Sequence, residues 1–186
     1  MTQTLLSPHQ ITEQLALLPL IAEDASPLFN LIQKNRENLT KYLYWVSDVT
    51  DVASTECYIL ERVNSGLPSA TWLKILDNQQ ICGVFGIKFI DADKQLAEVG
   101  YWLSSDSQGR GIISQVIRYM THILAKHKVR YLNIACLEQN AASIRVAEKA
   151  GGQLVSVEPK FLKVNGDWQA LLTFQIPLKN QHTPTP

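Results

Sequence analysis

Apolar residues along the chain recur with a helical period near the N-terminus and with a mainly extended period after residue 70. A short apolar run at residues 15–20, which contains Pro19, predicts a first strand. Helical spacing then predicts three helices, at residues 24–35, 37–45 and 55–64. The middle one of these is short and rich in aromatic residues. Gly66 and Pro68 mark the end of this helical part.

The second part of the chain alternates between strands and helices. Extended segments joined by short polar turns predict a three-stranded meander at residues 70–76, 81–90 and 96–103. The segments that follow predict a helix at residues 111–127, a strand at 129–137 and a helix at 140–150. A final hairpin, turning at Asn165-Gly166, is predicted from strands at residues 153–163 and 168–178. The strand, helix, strand order around Gly111 implies one right-handed parallel crossover.

The composition fits a single folded domain that spans all 186 residues. A hydrophobic content of 46% argues against disorder, and 17 basic against 17 acidic residues argue against nucleic acid as a partner. The N-terminus lacks the pattern of a secretion signal, and no apolar run approaches the roughly 20 residues that span a bilayer, so we expect no membrane partner. The polar tail at residues 180–186 is expected to be flexible.

The three cysteines, Cys57, Cys82 and Cys136, are odd in number and lie far apart inside apolar segments. Metal sites need ligands at closer, paired spacings, so we expect no metal. We interpret the three residues as reduced members of the core of a cytoplasmic protein.

The segment most informative about chemistry is the turn Gln108-Gly109-Arg110-Gly111, which lies between a predicted strand and a long predicted helix. The first amides of a helix have no partner within the helix and lie at the positive end of its dipole, so they bind phosphate well. Glycines let the backbone approach such a group closely, although a tight loop alone would also favour them. Arg110 is expected to add a positive charge toward the same phosphates.

This turn resembles the Q/R-x-x-G-x-G/A signature of the GNAT acetyltransferase superfamily, with Gln108 and Gly111 at matching positions and Ile113 in place of the last small residue. Further motifs resemble the RimJ/RimL branch, the ribosomal-protein serine or alanine N-acetyltransferases, and together they cover about residues 10–178. These motifs are Asn35-Arg36-Glu37-Asn38-Leu39 with Trp45, Ala97-Glu98-Val99-Gly100-Tyr101-Trp102-Leu103, Asn140-Ala141-Ala142-Ser143 and Asn165-Gly166-Asp167.

The resemblance implies an α/β fold of the α+β kind, in which a mixed, mostly antiparallel sheet of seven strands is flanked by helices. This sheet would splay between the strands that end near Leu103 and Leu137. Acetyl-CoA is the implied co-substrate, with its pantetheine arm in the splay and its pyrophosphate at the turn. The implied cofactor-binding residues are Tyr101, Trp102, Leu103, Gln108, Gly109, Arg110, Gly111, Ile112, Ile113, Ser114, Asn140 and Ser143.

Two residues are candidates for proton transfer. Glu98 stands inside an apolar strand, where a charge is costly unless it is used or paired, so it is either a base, acting directly or through water, or a structural anchor. The resemblance implies that Ser143 donates a proton to the departing thiolate, while Asn140 caps the same helix. Some relatives carry an acidic residue before the Asn-Gly-Asp turn, but this chain has Phe161-Leu162-Lys163-Val164 there.

The resemblance further implies transfer to a primary amine, foremost the N-terminal α-amine of a ribosomal protein, and it makes a homodimer plausible. An α-amine is neutral in roughly one molecule in eight at pH 7, so a weak base suffices. Tyr42, Tyr44 and Trp45 are expected to form an aromatic wall beside the acceptor, with packing in the core as the alternative. A small amine acceptor, such as a polyamine or aminoglycoside, and a non-catalytic acyl-CoA-binding regulatory protein remain open alternatives.

Overall fold

The structure is a computed structural model that describes residues 5–164 and 166–178, and its centre is one sheet of eight strands. The strands are β1 (His9–Gln10), β2 (Leu15–Pro19), β3 (Thr71–Asp77), β4 (Gln80–Asp91), β5 (Leu96–Leu103), β6 (Tyr131–Leu137), β7 (Gln153–Val164) and β8 (Asp167–Pro177). Helices that lie wholly within the described residues are α1 (Ala25–Leu39), α2 (Val52–Val63), α3 (Ile112–Lys126) and α4 (Ala141–Lys149). Short 3-10 turns lie at Ala22–Asp24, Tyr44–Ser47 and Ser105–Ser107.

The strand order is β1-β2-β3-β4-β5-β6-β8-β7, and within the described residues every neighbouring pair is antiparallel except β5 and β6. The predicted mixed, mostly antiparallel sheet with flanking helices is therefore confirmed. It has eight strands instead of seven, because the two-residue strand β1 adds an edge next to β2. The sequence pattern does not mark so short a strand.

The parallel pair opens along its length. Residues Leu96 to Val99 of β5 pair with Tyr131 to Ile134 of β6, but the remaining residues of the two strands are not paired with each other. Helix α3 connects the two strands on one side of the sheet. The two strands therefore separate toward Leu103 and Leu137, which is the splay that the family resemblance implies.

Two apolar clusters pack on the sheet. One joins α3 to the sheet through fully buried residues such as Val116, Met120 and Val99. The other contains buried residues of α1 and α2, such as Ile32 and Ile59. Because successive side chains of a strand point to opposite faces, β5 contributes to both clusters and holds its main chain between them.

The helix predicted at residues 37–45 is wrong. Helix α1 continues without a break to Leu39, and the chain then turns before the 3-10 turn at Tyr44–Ser47. Arg36 anchors the segment that follows, since its guanidinium donates a 2.6 Å hydrogen bond to the carbonyl of Val46 and another to that of Val49. The aromatic residues of this segment are spaced as in a helix, but their spacing reflects tertiary packing instead.

The remaining elements lie close to their predicted bounds. Strand β5 has the same ends as predicted, and α3 and α4 are each a residue shorter at both ends. The hairpin of β7 and β8 is present, with Gly166 at a positive φ of 94°. Asn165 of the expected turn and the expected flexible tail at residues 180–186 lie outside the described residues. None of the helices in the described ranges has the length and apolar character that crossing a membrane requires.

Candidate active site

A cavity of about 260 Å³ lies where β5 and β6 separate. Its walls come from the end of α1 and the residues after it, the end of β5, the glycine turn, the first turn of α3 and one face of α4 along its length. Eleven of the twelve predicted cofactor-binding residues line it, namely Tyr101, Trp102, Leu103, Gln108, Gly109, Gly111, Ile112, Ile113, Ser114, Asn140 and Ser143. The fold thus brings together residues that are up to 42 positions apart in the chain.

The glycine turn has the backbone of an anion cradle. Gly109 and Gly111 have φ values of 73° and 74°, in the left-handed region that other residues rarely adopt. Gly111 directly precedes the first residue of α3, and the first residues of that helix line the cavity. Their amides have no hydrogen-bond partner within the helix. A Cβ atom at either glycine would meet no protein atom within 4 Å, so the space beside the turn is open to a ligand.

Hydrogen bonds from α1 fix the loop that leads into this turn. The amide of Ser105 donates a 2.7 Å hydrogen bond to Oδ1 of Asn35, and Asn38 Nδ2 donates to Oγ of the same serine at 3.3 Å. Gln108 Nε2 donates to the carbonyl of Leu103 at 3.3 Å, which ties the turn to the end of β5. The asparagines of the first motif therefore support the loop before the cradle, and Asn38 also lines the cavity.

Arg110, the twelfth predicted residue, does not line the cavity. Its Nη1 lies 2.6 Å from Oδ2 of Asp77 at the end of β3, so the guanidinium binds a carboxylate of the protein. Two other cations, Arg145 and Lys149 of α4, line the cavity instead. Sequence reasoning missed them, although they lie four residues apart on one face of that helix, as Ala142, Arg145, Val146 and Lys149 all contribute to the lining.

The start of α4 places a hydroxyl group in the cavity. Oδ1 of Asn140 accepts a 3.1 Å hydrogen bond from the amide of Ser143, which is the capping geometry expected for asparagine at a helix start. Asn140 and Ser143 both line the cavity, opposite the end of β5. Burial raises the pKa of the facing Tyr101 to about 12, against a smaller lowering by the nearby hydroxyl of Ser143 and a smaller raising effect of Cys136.

Comparison with known proteins identifies the family. Residues 14–153 match the family described as "Acetyltransferase (GNAT) domain". The chain belongs to this family. A curated relative, the ribosomal-protein-serine acetyltransferase of Escherichia coli (strain K12), is 30% identical over 153 residues, which are 81% of this chain and 83% of the relative.

Solved structures extend the comparison of this acetyltransferase. RimL, a ribosomal L7/L12 α-N-protein acetyltransferase solved with coenzyme A, superposes with a TM-score of 0.85 at 24% identity, over 94% of this chain and 100% of that one, which shows the shared fold. The microcin C7 self-immunity acetyltransferase MccE, solved with acetyl-CoA and AMP, has a TM-score of 0.80 at 25% identity over 90% and 94% of the two chains. The predicted N-acetyltransferase activity and the acetyl-CoA co-substrate are confirmed.

Glu98 lies outside the lining of the acetyltransferase cavity. Its Oε1 accepts a 2.9 Å hydrogen bond from Nζ of Lys88 on the neighbouring strand β4. The ion pair fits the structural alternative for Glu98, since it satisfies the carboxylate without a substrate. A role as base is left to experiment.

The three expected acceptor-side aromatics are separated by the fold. Tyr42 lines the cavity, whereas Tyr44 is 67% exposed outside it. Trp45 packs inward, with its ring 4.2 Å from that of Tyr58 and 6.1 Å from that of Trp102. Of the three aromatic residues, only Tyr42 lies at the cavity, beside Leu39 and Leu43. Among the described residues, no group of three or more His, Cys, Asp or Glu side chains could hold a metal ion.

Proposed function

We propose that this enzyme transfers the acetyl group of acetyl-CoA to the N-terminal α-amine of a protein, foremost a ribosomal protein. The names of the Escherichia coli relative and of RimL support this acceptor. The observation that carries the proposal is the charge of the cavity. Its lining in the described part of the chain includes Arg145 and Lys149 but no carboxylate.

This charge distribution favours a weakly basic amine. A lysine side chain with a pKa near 10.4 is neutral in only about one molecule in 2,500 at pH 7, so it would need a base to become nucleophilic. Within the described residues the lining offers none. An α-amine is neutral in roughly one molecule in eight at the same pH and can attack without a carboxylate base.

The residues of the cavity fit coenzyme A. Main-chain groups of Tyr101 and Trp102 have no partner on β6, so they are open to the pantetheine amides, which would bind them as an added strand does. The glycine turn and the amides of α3 would hold the pyrophosphate, with Arg145 and Lys149 adding positive charge. Bound in this way, acetyl-CoA supplies the activated acetyl group.

Ser143 serves as the proton donor to the departing sulfur in this proposal. It lines the cavity at the start of α4 and is fixed by the cap of Asn140. We expect Ser143→Ala to lower kcat by about a hundredfold, in the range that general acid catalysis contributes, with little change in acetyl-CoA affinity. Ser114→Ala, at the phosphate end of the same cavity, is the matched control and should affect affinity more than kcat.

The acceptor class is tested by thiol release from acetyl-CoA with a panel of amines. The panel contains peptides with free serine or alanine N-termini, the same peptides with blocked N-termini and an internal lysine, polyamines and aminoglycosides. We expect release with the free N-termini. Preference for the blocked lysine peptides or the polyamines would overturn the acceptor, and no release above hydrolysis with any amine would overturn catalysis in favour of a regulatory acyl-CoA-binding protein.

We further propose a homodimer formed through β7. This strand ends the sheet order, so within the described ranges its outer edge has no strand partner. Five large apolar side chains of the hairpin are exposed, namely Leu154, Val155, Val157, Phe161 and Trp168. Long exposed edges with apolar side chains are prone to pair with another chain. Sedimentation equilibrium should give a dimer for the protein and a monomer for Val157→Lys; a monomeric parent protein would contradict the proposal.

The proposed place of action is the cytoplasm, without a nucleic-acid or membrane partner and as a single domain. All three cysteines are unpaired, and Cys82 and Cys136 are buried, which fits a reducing compartment. Burial also raises the pKa of both thiols to about 11, so they stay protonated and unreactive at neutral pH.

A further inference from the structure

The hydroxyl group of Tyr101 is buried without a partner. Its oxygen is inaccessible to solvent and makes no hydrogen bond with any described residue, although the side chain lines the cavity. Native proteins keep few such atoms, because an unpaired buried polar group is costly. An unpaired hydroxyl beside a ligand cavity therefore requires a functional explanation.

Two side chains influence this hydroxyl, Ser143 of α4 and Cys136 of β6. The interaction with Ser143 shows that the two hydroxyl groups are neighbours across the splay, one held by β5 and the other by the start of α4. Burial keeps the pKa of Tyr101 at about 12, so the group carries its proton throughout the physiological range and acts as a hydrogen-bond donor. Cys136 is likewise kept as a thiol, because burial raises its pKa to about 11.

We propose that Tyr101 is a positioning residue for acetyl transfer: its hydroxyl donates a hydrogen bond to Oγ of Ser143 and thereby directs the proton of Ser143 toward the sulfur of the departing thiolate. A rotation of the Ser143 side chain completes this hydrogen bond when the cavity is filled. The inference rests on the proposed function, in which Ser143 is the proton donor. It assigns Tyr101 a side-chain role beyond the main-chain contact expected from the strand.

The transfer step balances as follows in atoms and charge. The amine nitrogen forms a bond to the acetyl carbon, the carbon–sulfur bond breaks, and the electron pair of that bond goes to sulfur. Sulfur takes the proton of Ser143, and Oγ regains one from water in the same step, so that no free alkoxide forms, while the nitrogen loses its extra proton to water. Tyr101 keeps its own proton, and its hydrogen bond to Oγ holds the serine hydroxyl toward the sulfur.

Direct donation by Tyr101 to the sulfur is disfavoured by position. The tyrosine oxygen is inaccessible to solvent, whereas Ser143 is only half-buried and lines the cavity at the start of α4. The hydroxyl is therefore better suited to orient and polarise a second donor than to act as the acid itself.

The test is a double-variant cycle with Tyr101→Phe and Ser143→Ala, measured with the best amine of the acceptor panel. Tyr101→Phe should lower kcat roughly tenfold to a hundredfold, with the KM for acetyl-CoA changed by no more than about twofold. The double variant should be no slower than Ser143→Ala alone, because Tyr101 acts only through Ser143. Tyr119→Phe is the matched control, since that hydroxyl lies 3.3 Å from Nδ1 of His9 outside the cavity, and its kcat should be unchanged.

An unchanged kcat in Tyr101→Phe would overturn the inference. So would a loss of kcat on replacing Tyr101 with phenylalanine that is equally large in the parent protein and in Ser143→Ala. Thermal unfolding without ligand adds a readout that is independent of catalysis. Because the hydroxyl has no partner, Tyr101→Phe should melt at the same temperature as the parent protein or higher, whereas a marked decrease would indicate a structural hydroxyl and contradict the inference. Absence of activity in the parent protein with every amine would instead defeat the proposed function, and the melting result would still decide whether the hydroxyl is unpaired.

Discussion

Nζ of Lys88 lies 2.9 Å from Oε1 of Glu98, across the neighbouring strands β4 and β5. Lys88 stands at the point where the register between these strands shifts, and such an irregularity re-aims a side chain. The side chains of lysine and glutamate remain 39% and 24% exposed. A pair with this exposure contributes at most roughly 1 kcal/mol to stability, so its main effect is to satisfy a charge within an apolar strand.

We therefore predict that Glu98→Gln lowers the free energy of unfolding by less than about 1 kcal/mol and leaves the pH dependence of kcat/KM unshifted. Chemical denaturation and a pH–rate profile measure the two quantities. Lys88→Met removes the other half of the pair and should change stability by a similar amount. Loss of the acidic limb in Glu98→Gln, with the limb retained in Lys88→Met, would identify Glu98 as the base.

The positions of three cations predict different effects on coenzyme A affinity. Arg145 and Lys149 line the cavity, whereas Arg110 is paired with Asp77. We expect Arg145→Ala and Lys149→Ala each to weaken binding by about tenfold and to reduce its salt dependence, because each removes a charge near the phosphates. Arg110→Ala should change the affinity by less than about threefold. Calorimetric titration with coenzyme A at two salt concentrations measures these affinities. A larger loss of affinity for Arg110→Ala than for the other two variants would contradict this assignment.

Substitution of Gly109 tests the cradle, because a matched glycine separates the effect of backbone strain from that of contact with the ligand. Gly109 and Gly66 have nearly equal φ values of 73° and 70°, and a Cβ atom at either would meet no protein atom within 4 Å. Alanine at either position should thus destabilise the fold by about 1 kcal/mol through backbone strain alone. Only Gly109→Ala should also weaken coenzyme A binding, since Gly66 lies outside the cavity. Equal affinities in the two variants would argue against phosphate binding at the turn.

Features that depend on neighbouring residues in the sequence were predictable. The apolar stripe of α3 and the alternating pattern of β5 are local, and the glycine turn between them needs only a strand end and a helix start. The cap of Asn140 on Ser143 spans three residues and was also predictable. These local patterns, with the family resemblance, predict most of the sheet, and eleven of the twelve residues predicted to bind the cofactor line the cavity.

Features that depend on distant partners were not predictable. Arg110 follows the glycine of the turn, yet its direction is set by Asp77, which lies 33 residues earlier in the chain. Trp45 was predicted to lie beside the acceptor, but in the structure it packs against Tyr58 of α2 and Trp102 of β5. The choice between a ligand and a protein partner for a charged or aromatic side chain is made by tertiary contacts, which composition and spacing do not encode.

Because the hydroxyl of Tyr101 is buried, we predict that the protein loses stability at high pH. Its pKa is about 12 in the folded protein against 10.0 for an unperturbed tyrosine, so the native state holds the proton more tightly than the unfolded chain does. The resulting stabilisation is fully present below pH 10 and is lost as the pH rises from 10 to about 12. At about 1.4 kcal/mol for each pH unit, the loss amounts to roughly 2–3 kcal/mol. Urea unfolding between pH 9 and 12 should show that the free energy of unfolding of the parent protein falls by this amount relative to Tyr101→Phe.

Comparison with the variant isolates the Tyr101 contribution. Burial also raises the pKa values of Cys82, Cys136 and Tyr58, so both proteins should lose stability above about pH 9 for reasons that cancel in the difference. Parallel curves for the two proteins would mean that the hydroxyl ionises equally easily in the folded and unfolded states. That outcome would remove the argument that Tyr101 stays a proton-bearing donor, and it would leave Ser143 to orient its own proton without help from β5.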